Sequence, residues 1–140
     1  MSAEDFLDTN VFVYLFDETA PDKRARAEGL VRRSLAEGSG CISYQVVQET
    51  LNVVTRKLGA RPASARLLLD DVLAPLWRVN PSRSLYARGL RLQGEFGFSS
   101  YDSLIVAAAL EAGCTRLYSE DLHHGQRVDE LTIQNPFRGH

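Results

Sequence analysis

The chain has 140 residues, a net charge of −2 and 24% charged residues, the ordinary make-up of one globular domain. No apolar run reaches the roughly 18–20 residues that span a bilayer, which excludes a helical membrane protein. The acidic start lacks the features of a secretory signal, and Cys41 and Cys114 have no C-x-x-C spacing. We therefore expect a cytoplasmic protein with two buried thiols.

The first half of the chain alternates apolar runs with helical patterns. Residues 4–8 predict a short strand that ends at Asp8. Residues 11–16 fit either a strand, by propensity, or a buried helix capped by Asn10. Residues 22–37 predict a helix with its arginines outward, and the residues expected on its inner face are Ala25, Leu30, Val31, Ser34 and Leu35.

Gly38 and Gly40 end that helix, and the alternation then continues. The next predicted elements are a strand at 41–43, a Ser43-capped helix to about residue 58, a helix at 62–75, a strand at 76–79 and a helix at 82–94. An all-apolar run at 103–110 predicts a buried central helix that ends at Gly113. Strands are expected at 115–119 and 131–134.

Strands that alternate with helices predict an α/β fold with a mainly parallel sheet, in a single domain over residues 1–140. In such sheets, ligands bind outside the carboxyl ends of the strands. Asp8 and Asp121 each follow a predicted strand. The sequence therefore places acidic side chains where this rule puts a site.

Asp8 and Asp102 both stand where a strand or loop gives way to a helix. Thr9 and Asn10 follow Asp8, so oxygen donors suited to a hard cation stand side by side, although Asp8 could simply cap the next helix. Ser99-x-x-Asp102 resembles a capping box. Capping and metal binding are compatible there, because the helix dipole favours an acid in the first turn.

The other acidic candidates are Glu49, Glu120 and Asp121. Helical spacing from Val46 and Val53 places Glu49 on or near a buried face of its helix. A carboxylate buried there needs a metal or an arginine as its partner. The alternative is that Glu49 lies at the solvated rim of that face. Glu120 and Asp121 are adjacent acids after a strand, a pair that is often merely solvated. What points to a site is the joint placement of the acids at two strand ends and on two helices.

Other chemistries find less support in the sequence. His123 and His124 lack a partner at the spacing of a zinc site, and no nucleophile elbow is present.

The basic residues are mostly arginines: only Lys23 and Lys57 among the sixteen basic residues are lysines. This arginine bias suits phosphate contacts, but a GC-rich genome produces the same bias. The net charge therefore neither requires nor excludes a nucleic-acid partner.

Four acidic segments in this order resemble the PIN-domain family, and within it the VapC-type ribonuclease toxins of type II toxin–antitoxin systems. The segments are residues 6–11 (FLDTNV), 48–52 (QETLN), 101–109 (YDSLIVAAA) and 117–122 (LYSEDL). The closing residues 133–137 (IQNPF) are similar to the end strand and tail of the family. The resemblance extends from residue 6 to residue 137, and so over most of the chain.

The resemblance implies a PIN-like three-layer α/β/α domain, a helical clip at about 62–94, a homodimer and an antitoxin partner. It also implies a metal-dependent endoribonuclease, with structured RNAs such as tRNA or rRNA as plausible substrates. The expected catalytic residues are Asp8, Glu49, Asp102 and Asp121. Of these, Asp8, Asp102 and Asp121 are expected to hold Mg²⁺ or Mn²⁺.

Neighbouring polar residues are expected to support these acids. Thr9, Asn10 and Ser119 would position the carboxylates. Glu120 competes with Asp121 for the role of the fourth acid. Asp121 is preferred because it occupies the family's usual place after the strand-end Ser119.

Two alternatives remain open at the level of sequence. The chain could be a PIN-like module that binds nucleic acid or a partner without chemistry. It could also be a Mg²⁺-dependent receiver-like or phosphatase-like domain. The phosphatase version needs a second aspartate where this chain has Asn10, and the receiver version needs a lysine at a strand end, whereas both lysines fall on predicted helices.

Overall fold

A six-stranded sheet in the order β3-β2-β1-β4-β6-β5 organises residues 3–138, the part of the chain that the computed structural model describes. The strands are β1 (Asp5–Leu7), β2 (Gly40–Ser43), β3 (Trp77–Val79), β4 (Arg116–Tyr118), β5 (Arg127–Val128) and β6 (Leu131–Gln134). Neighbouring strands are parallel except β5 and β6. The predicted α/β fold with a mainly parallel sheet is therefore confirmed.

The helices alternate with these strands and flank the sheet. They are α1 (Thr9–Val13), α2 (Pro21–Glu37), α3 (Tyr44–Arg56), α4 (Pro62–Leu68), α5 (Ala74–Leu76), α6 (Arg83–Phe96) and α7 (Ser100–Glu111). A 3₁₀ turn, Tyr14–Phe16, extends α1, and a π-helical stretch, Leu69–Leu73, joins α4 to α5. The predicted helix at 62–75 is thus continuous helical structure, with a widened turn in its middle.

Helix α2 packs closely against strand β2. Gly38 ends the helix with φ of 65°, in the left-handed region that a residue without Cβ adopts easily. A Cβ on Gly40 would lie 2.6 Å from Ser34 Cβ, so the strand passes the helix at a distance that only glycine permits. Leu30, Val31 and Ser34 are buried as predicted, Leu35 is half-buried, and Ala25 is exposed, which corrects its predicted inward position.

The structure decides between the two alternatives for residues 11–16, and it corrects the predicted cap and one inward position of α3. Residues 11–16 are helical and not a strand, because the side chain of Asp8 accepts a hydrogen bond from Thr9 N and begins α1. Asp8 is therefore the cap, and Asn10 lies inside the helix. In α3, Val46 is buried, but Val53 is only half-buried.

Helix α7 supplies much of the core, as the apolar run at 104–110 predicted. Residues 105–109 are all buried, and both cysteine thiols are free and buried. Strand β5 was not predicted, because two residues are too few to show a pattern. Among residues 3–138, no helix combines the length and the apolar character that crossing a membrane requires.

Candidate active site

Asp8 lies at the carboxyl end of β1, where the central strand gives way to α1. Its side chain is nearly buried, with 6% of the residue exposed. Oδ1 accepts a hydrogen bond of 2.7 Å from Thr9 N, and Oδ2 accepts one of 2.7 Å from Ser119 Oγ. Asp8 N also donates to Tyr118 O at 3.0 Å. The carboxylate is therefore fixed by the ends of two adjacent parallel strands.

The surroundings of Asp8 disfavour its negative charge. Burial raises its pKa from 3.8 to about 6, against the lowering effect of hydrogen bonds from Ser119 and Thr9. The charges of Asp121 and Glu49 raise the pKa further, which places both carboxylates near Asp8. Within residues 3–138, no basic side chain forms an ion pair with Asp8. A buried acid without a cation is costly, so the site favours a bound positive charge.

Glu49 is half-buried on α3 and faces the same strand end. Thr9 Oγ1 donates to Glu49 Oε2 at 3.1 Å, and Gln45 Nε2 donates to Glu49 Oε1 at 2.9 Å. Gln45 Nε2 also donates to Tyr101 O at 3.2 Å. The amide of Gln45 thus joins α3 to the first turn of α7. Sequence reasoning missed Gln45, although its position one helical turn before Glu49 was a usable signal.

Asp102 lies in the first turn of α7 and is half-buried. Its backbone N–H donates to Ser99 Oγ at 3.2 Å, so Ser99 caps the helix and leaves the Asp102 carboxylate available. The bond from Gln45 to Tyr101 O brings this end of α7 toward Glu49. This bond therefore links the helical turn that carries Asp102 to the helix that carries Glu49.

Glu120 and Asp121 have different surroundings, although they are adjacent. Glu120 Oε1 accepts a hydrogen bond of 2.5 Å from Tyr14 OH, and Glu120 Oε2 pairs with Lys23 Nζ at 2.6 Å. Asp121 Oδ2 accepts one hydrogen bond of 3.2 Å, from Asn10 Nδ2. Glu120 thus pairs with a cation, whereas in the described part of the chain, residues 3–138, no basic side chain pairs with Asp121. Tyr14 and Lys23 were not foreseen, because the contacts join segments about a hundred residues apart.

The oxygen-rich set suits a hard divalent cation. Asn10 Oδ1 is buried and accepts no hydrogen bond from residues 3–138, while Nδ2 of the same amide donates to Asp121. Among residues 3–138, no three acidic, histidine or cysteine side chains already stand at the spacing of a metal cage. His124, the alternative kind of ligand, uses Nδ1 to accept a bond of 3.0 Å from Asn135 N. The donors present therefore match Mg²⁺ or Mn²⁺ in chemistry, without a preformed cage.

The structure resembles several solved toxin structures. It matches Mycobacterium tuberculosis VapC20, described as a sarcin-ricin loop cleaving toxin, with a TM-score of 0.62 and 21% identity, over 84% of this chain and 90% of that one. A toxin–antitoxin complex from Klebsiella pneumoniae matches with a TM-score of 0.67 and 17% identity, over 95% and 98%. VapBC2 from Rickettsia felis, bound to a promoter DNA fragment, matches with a TM-score of 0.59 and 17% identity, over 94% and 97%.

These likenesses establish a shared fold. No curated protein matches the sequence. The sequence model of the PIN domain matches residues 6–130, a stretch that includes Asp8, Glu49, Asp102 and Asp121. The order of acidic segments, the sheet topology and this match agree, and the chain belongs to the PIN-domain family.

Proposed function

We propose that the protein is a metal-dependent endoribonuclease and the toxin of a type II toxin–antitoxin pair. The observation that carries the proposal is the nearly buried Asp8 carboxylate, which is fixed by two hydrogen bonds, lies near Asp121 and Glu49, and has no basic partner among residues 3–138. A purely structural acid would have a cation or would be exposed. A buried carboxylate with a raised pKa and other acids near it is typical of a functional site.

Some residues of the candidate site would hold a cation, and others would orient the side chains that hold it. Asp8, Asp102 and Asp121 would hold Mg²⁺ or Mn²⁺, and Glu49 would bind the ion or orient a water molecule. When bound, such an ion lowers the pKa of a water and stabilises the charge that develops on the leaving oxygen. Ser119 and Thr9 fix Asp8, and Asn10 fixes Asp121. Glu120 would support the site by pairing with Lys23.

RNA is the proposed substrate, with tRNA or rRNA as the proposed targets. One structural neighbour is described as a toxin that cleaves the sarcin-ricin loop, which supports an RNA substrate here. Another is a toxin–antitoxin complex, which supports an antitoxin partner. A homodimer and a helical clip at about 62–94 belong to the same proposal. The clip would comprise α4 to α6, with β3 joining it to the sheet through β2.

The test is cleavage of labelled total RNA by purified protein in Mg²⁺, in Mn²⁺ and in EDTA. Asp8→Asn and Asp102→Asn are compared with Asp71→Asn, which removes an exposed acid on the π-helical stretch. The proposal expects metal-dependent cutting that the first two substitutions abolish and the third leaves intact. Cutting that survives both site substitutions would indicate a contaminating nuclease.

A second candidate, a PIN-like module that binds without cleaving, is favoured by one observation. No three candidate ligands among residues 3–138 stand ready as a metal cage. Calorimetric titration with Mn²⁺ separates the two functions. Absence of both a binding signal and cutting would favour the binding module over the nuclease.

A further inference from the structure

A hollow lined by aromatic and apolar side chains lies at the carboxyl ends of β2 and β3. Ser43 and Val79, the last residues of these strands, pair in the sheet and line the hollow. Tyr44 and Asn80, which directly follow them, line it as well, and Tyr86 lines it from the start of α6. None of the lining side chains is charged. This aromatic hollow therefore suits a neutral ligand and not a phosphate or a carboxylate.

The aromatic hollow is connected to the candidate active site through Gln45. This residue lines the hollow, and its Nε2 donates to Glu49 Oε1 at 2.9 Å. Glu49 Oε2 in turn accepts a hydrogen bond of 3.1 Å from Thr9 Oγ1, of the residue that follows Asp8. One wall of the hollow is therefore a single hydrogen bond away from an acid of the candidate site.

The sheet also places the hollow and Asp8 at the same edge. Strands β1, β2 and β3 are adjacent and parallel, and Phe6 of β1 pairs with Cys41 of β2. Asp8 and Ser43 each stand two residues later, so the two strands end side by side. Neighbouring strands are about 4.8 Å apart, which puts the hollow on the order of 5–10 Å from Asp8 along this edge. Because stacked nucleotides are roughly 3.4 Å apart, a few nucleotides cover that distance.

Two side chains of the hollow are available to a ligand. Tyr86 is 51% exposed, and neither its hydroxyl and ring nor the side-chain amide of Asn80 has a partner among residues 3–138. Tyr44 is 42% exposed, and its ring contacts that of Trp77 with 6.3 Å between the centroids. Exposed aromatic side chains that cluster in this way mark a binding surface. The hollow thus offers an open ring face beside an open amide.

We infer that the aromatic hollow binds one unpaired base of the RNA strand whose scissile bond lies at Asp8, with Tyr86 as the stacking surface and Asn80 as the contact to the base edge. The inference rests on the proposed ribonuclease function and names a substrate subsite. Unpaired bases stack on aromatic side chains and form hydrogen bonds through their edges. Counted with the open space at its mouth, the hollow measures about 290 Å³, just below the roughly 300–1,000 Å³ of pockets for drug-sized ligands, which suits a single base.

An apolar protein surface, such as a second copy of this chain, is the other ligand that this face could bind. Leu90 stands one helical turn after Tyr86, is 70% exposed, and lines a neighbouring hollow together with Tyr86. A protein partner would bury both side chains. RNA is favoured because the aromatic hollow adjoins the acids and because an apolar partner would leave the Asn80 amide unpaired.

The test compares Tyr86→Ala with Leu90→Ala, each in an Asp102→Asn background that is expected to prevent cutting. Both variants remove an exposed side chain from α6, and Leu90 does not line the aromatic hollow. Binding of fluorescent single-stranded RNA oligonucleotides is measured in Mg²⁺ between about 50 and 200 mM salt. A matched set of oligonucleotides keeps every phosphate but carries an abasic residue at one position after another. Thermal unfolding confirms that each variant is folded.

Tyr86→Ala is expected to weaken binding of the intact oligonucleotide about tenfold, within the range for the loss of one stacked base. The salt dependence is expected to stay the same, because no phosphate contact is removed. Tyr86→Phe keeps the ring and is expected to change the affinity less than about threefold, and Leu90→Ala less than about twofold. With the abasic residue at one particular position, the effect of Tyr86→Ala is expected to disappear, because the base that it would contact is already missing.

Three results would overturn the inference. The first is an equal loss of RNA affinity in Tyr86→Ala and Leu90→Ala. The second is an effect of Tyr86→Ala that persists with every abasic oligonucleotide, since no single base would then be its partner. The third is a shift in oligomeric state, measured by sedimentation, in both variants without a loss of RNA affinity in Tyr86→Ala, which would assign this face to a second copy of the chain.

Two further outcomes separate this inference from the proposed function. Unsubstituted protein that cuts no RNA in Mg²⁺ or Mn²⁺, while RNA binding depends on Tyr86 and on one base, would contradict the nuclease and leave the base site standing. Protein that cuts RNA with the same kcat/KM with and without the Tyr86 ring would leave the nuclease standing and contradict the base site.

Discussion

Ser119 donates a 2.7 Å hydrogen bond to the carboxylate of Asp8 across 111 residues of sequence. The bond joins the end of β4 to the end of β1 and holds one oxygen of the most buried acid in the candidate site. It also favours the charged form of Asp8, against burial and the neighbouring acids. Ser119 Oγ also accepts a hydrogen bond of 3.4 Å from Leu122 N, so its removal affects the turn after β4 as well as the site.

Ser119→Ala is expected to lower cleavage and Mn²⁺ affinity about 10–100-fold, the usual range for a residue that orients a metal ligand. The loss of the hydrogen bonds to Asp8 and from Leu122 is expected to cost about 1–3 kcal/mol of unfolding free energy. Rates on a fixed RNA substrate and calorimetric Mn²⁺ titration measure the two effects. Ser64→Ala, at an exposed position in α4, is the matched control. A variant with unchanged rate and affinity would remove Ser119 from the site.

The raised pKa of Asp8 predicts a specific dependence of stability on pH in EDTA. The native pKa of about 6 lies above the unfolded value of 3.8, so the native state binds the proton more tightly. The stability that this confers is complete below pH 3.8 and is lost as the pH rises through 6. At pH 7.5 the charged Asp8 is expected to cost the native state on the order of 3 kcal/mol.

Asp8→Asn removes this cost, and urea denaturation in EDTA measures the result. The variant is expected to be more stable than the unsubstituted protein at pH 7.5, and the advantage is expected to shrink toward pH 4. Asp71→Asn, at an exposed site, is expected to show neither effect. An Asp8→Asn variant that is less stable at pH 7.5 would show that the native state stabilises the Asp8 charge.

The different partners of Glu120 and Asp121 predict different effects of two otherwise similar substitutions. Asp121→Asn is expected to reduce RNA cleavage at least 100-fold, because no basic side chain within residues 3–138 pairs with Asp121, which is proposed to bind the metal. Glu120→Gln loses the pairing with Lys23 and is expected to change cleavage less than about fivefold. Single-turnover cleavage measures both. The reverse order of effects would make Glu120 the fourth acid.

The contacts of Gln45 predict that this uncharged residue contributes to the cleavage rate. Its side-chain amide links Glu49 to the backbone of Tyr101 in the first turn of α7. Gln45→Ala is expected to lower the cleavage rate about tenfold with little change in RNA affinity, because the acids lose their relative position. Gln48→Ala, at an exposed position of the same helix, is the control. An equal effect of both variants would indicate a general disturbance of α3.

The amino-acid sequence by itself determined the α/β alternation, the buried character of α7 and the four acidic segments. These features are local, because a helix or strand shows its periodicity within a few residues and an acidic residue is read directly from the sequence. The sequence does not decide between strand and helix at 11–16, because Val, Phe and Tyr favour strands. The cap supplied by Asp8 makes this segment helical.

Only the tertiary structure decided which polar groups meet. Lys23 pairs with Glu120 over 97 residues, and this contact, invisible in either segment, separates the roles of Glu120 and Asp121. The same holds for the amide of Gln45, which joins Glu49 to the backbone of Tyr101. Electrostatic interactions depend on distance and burial, and the folding of the sheet sets both.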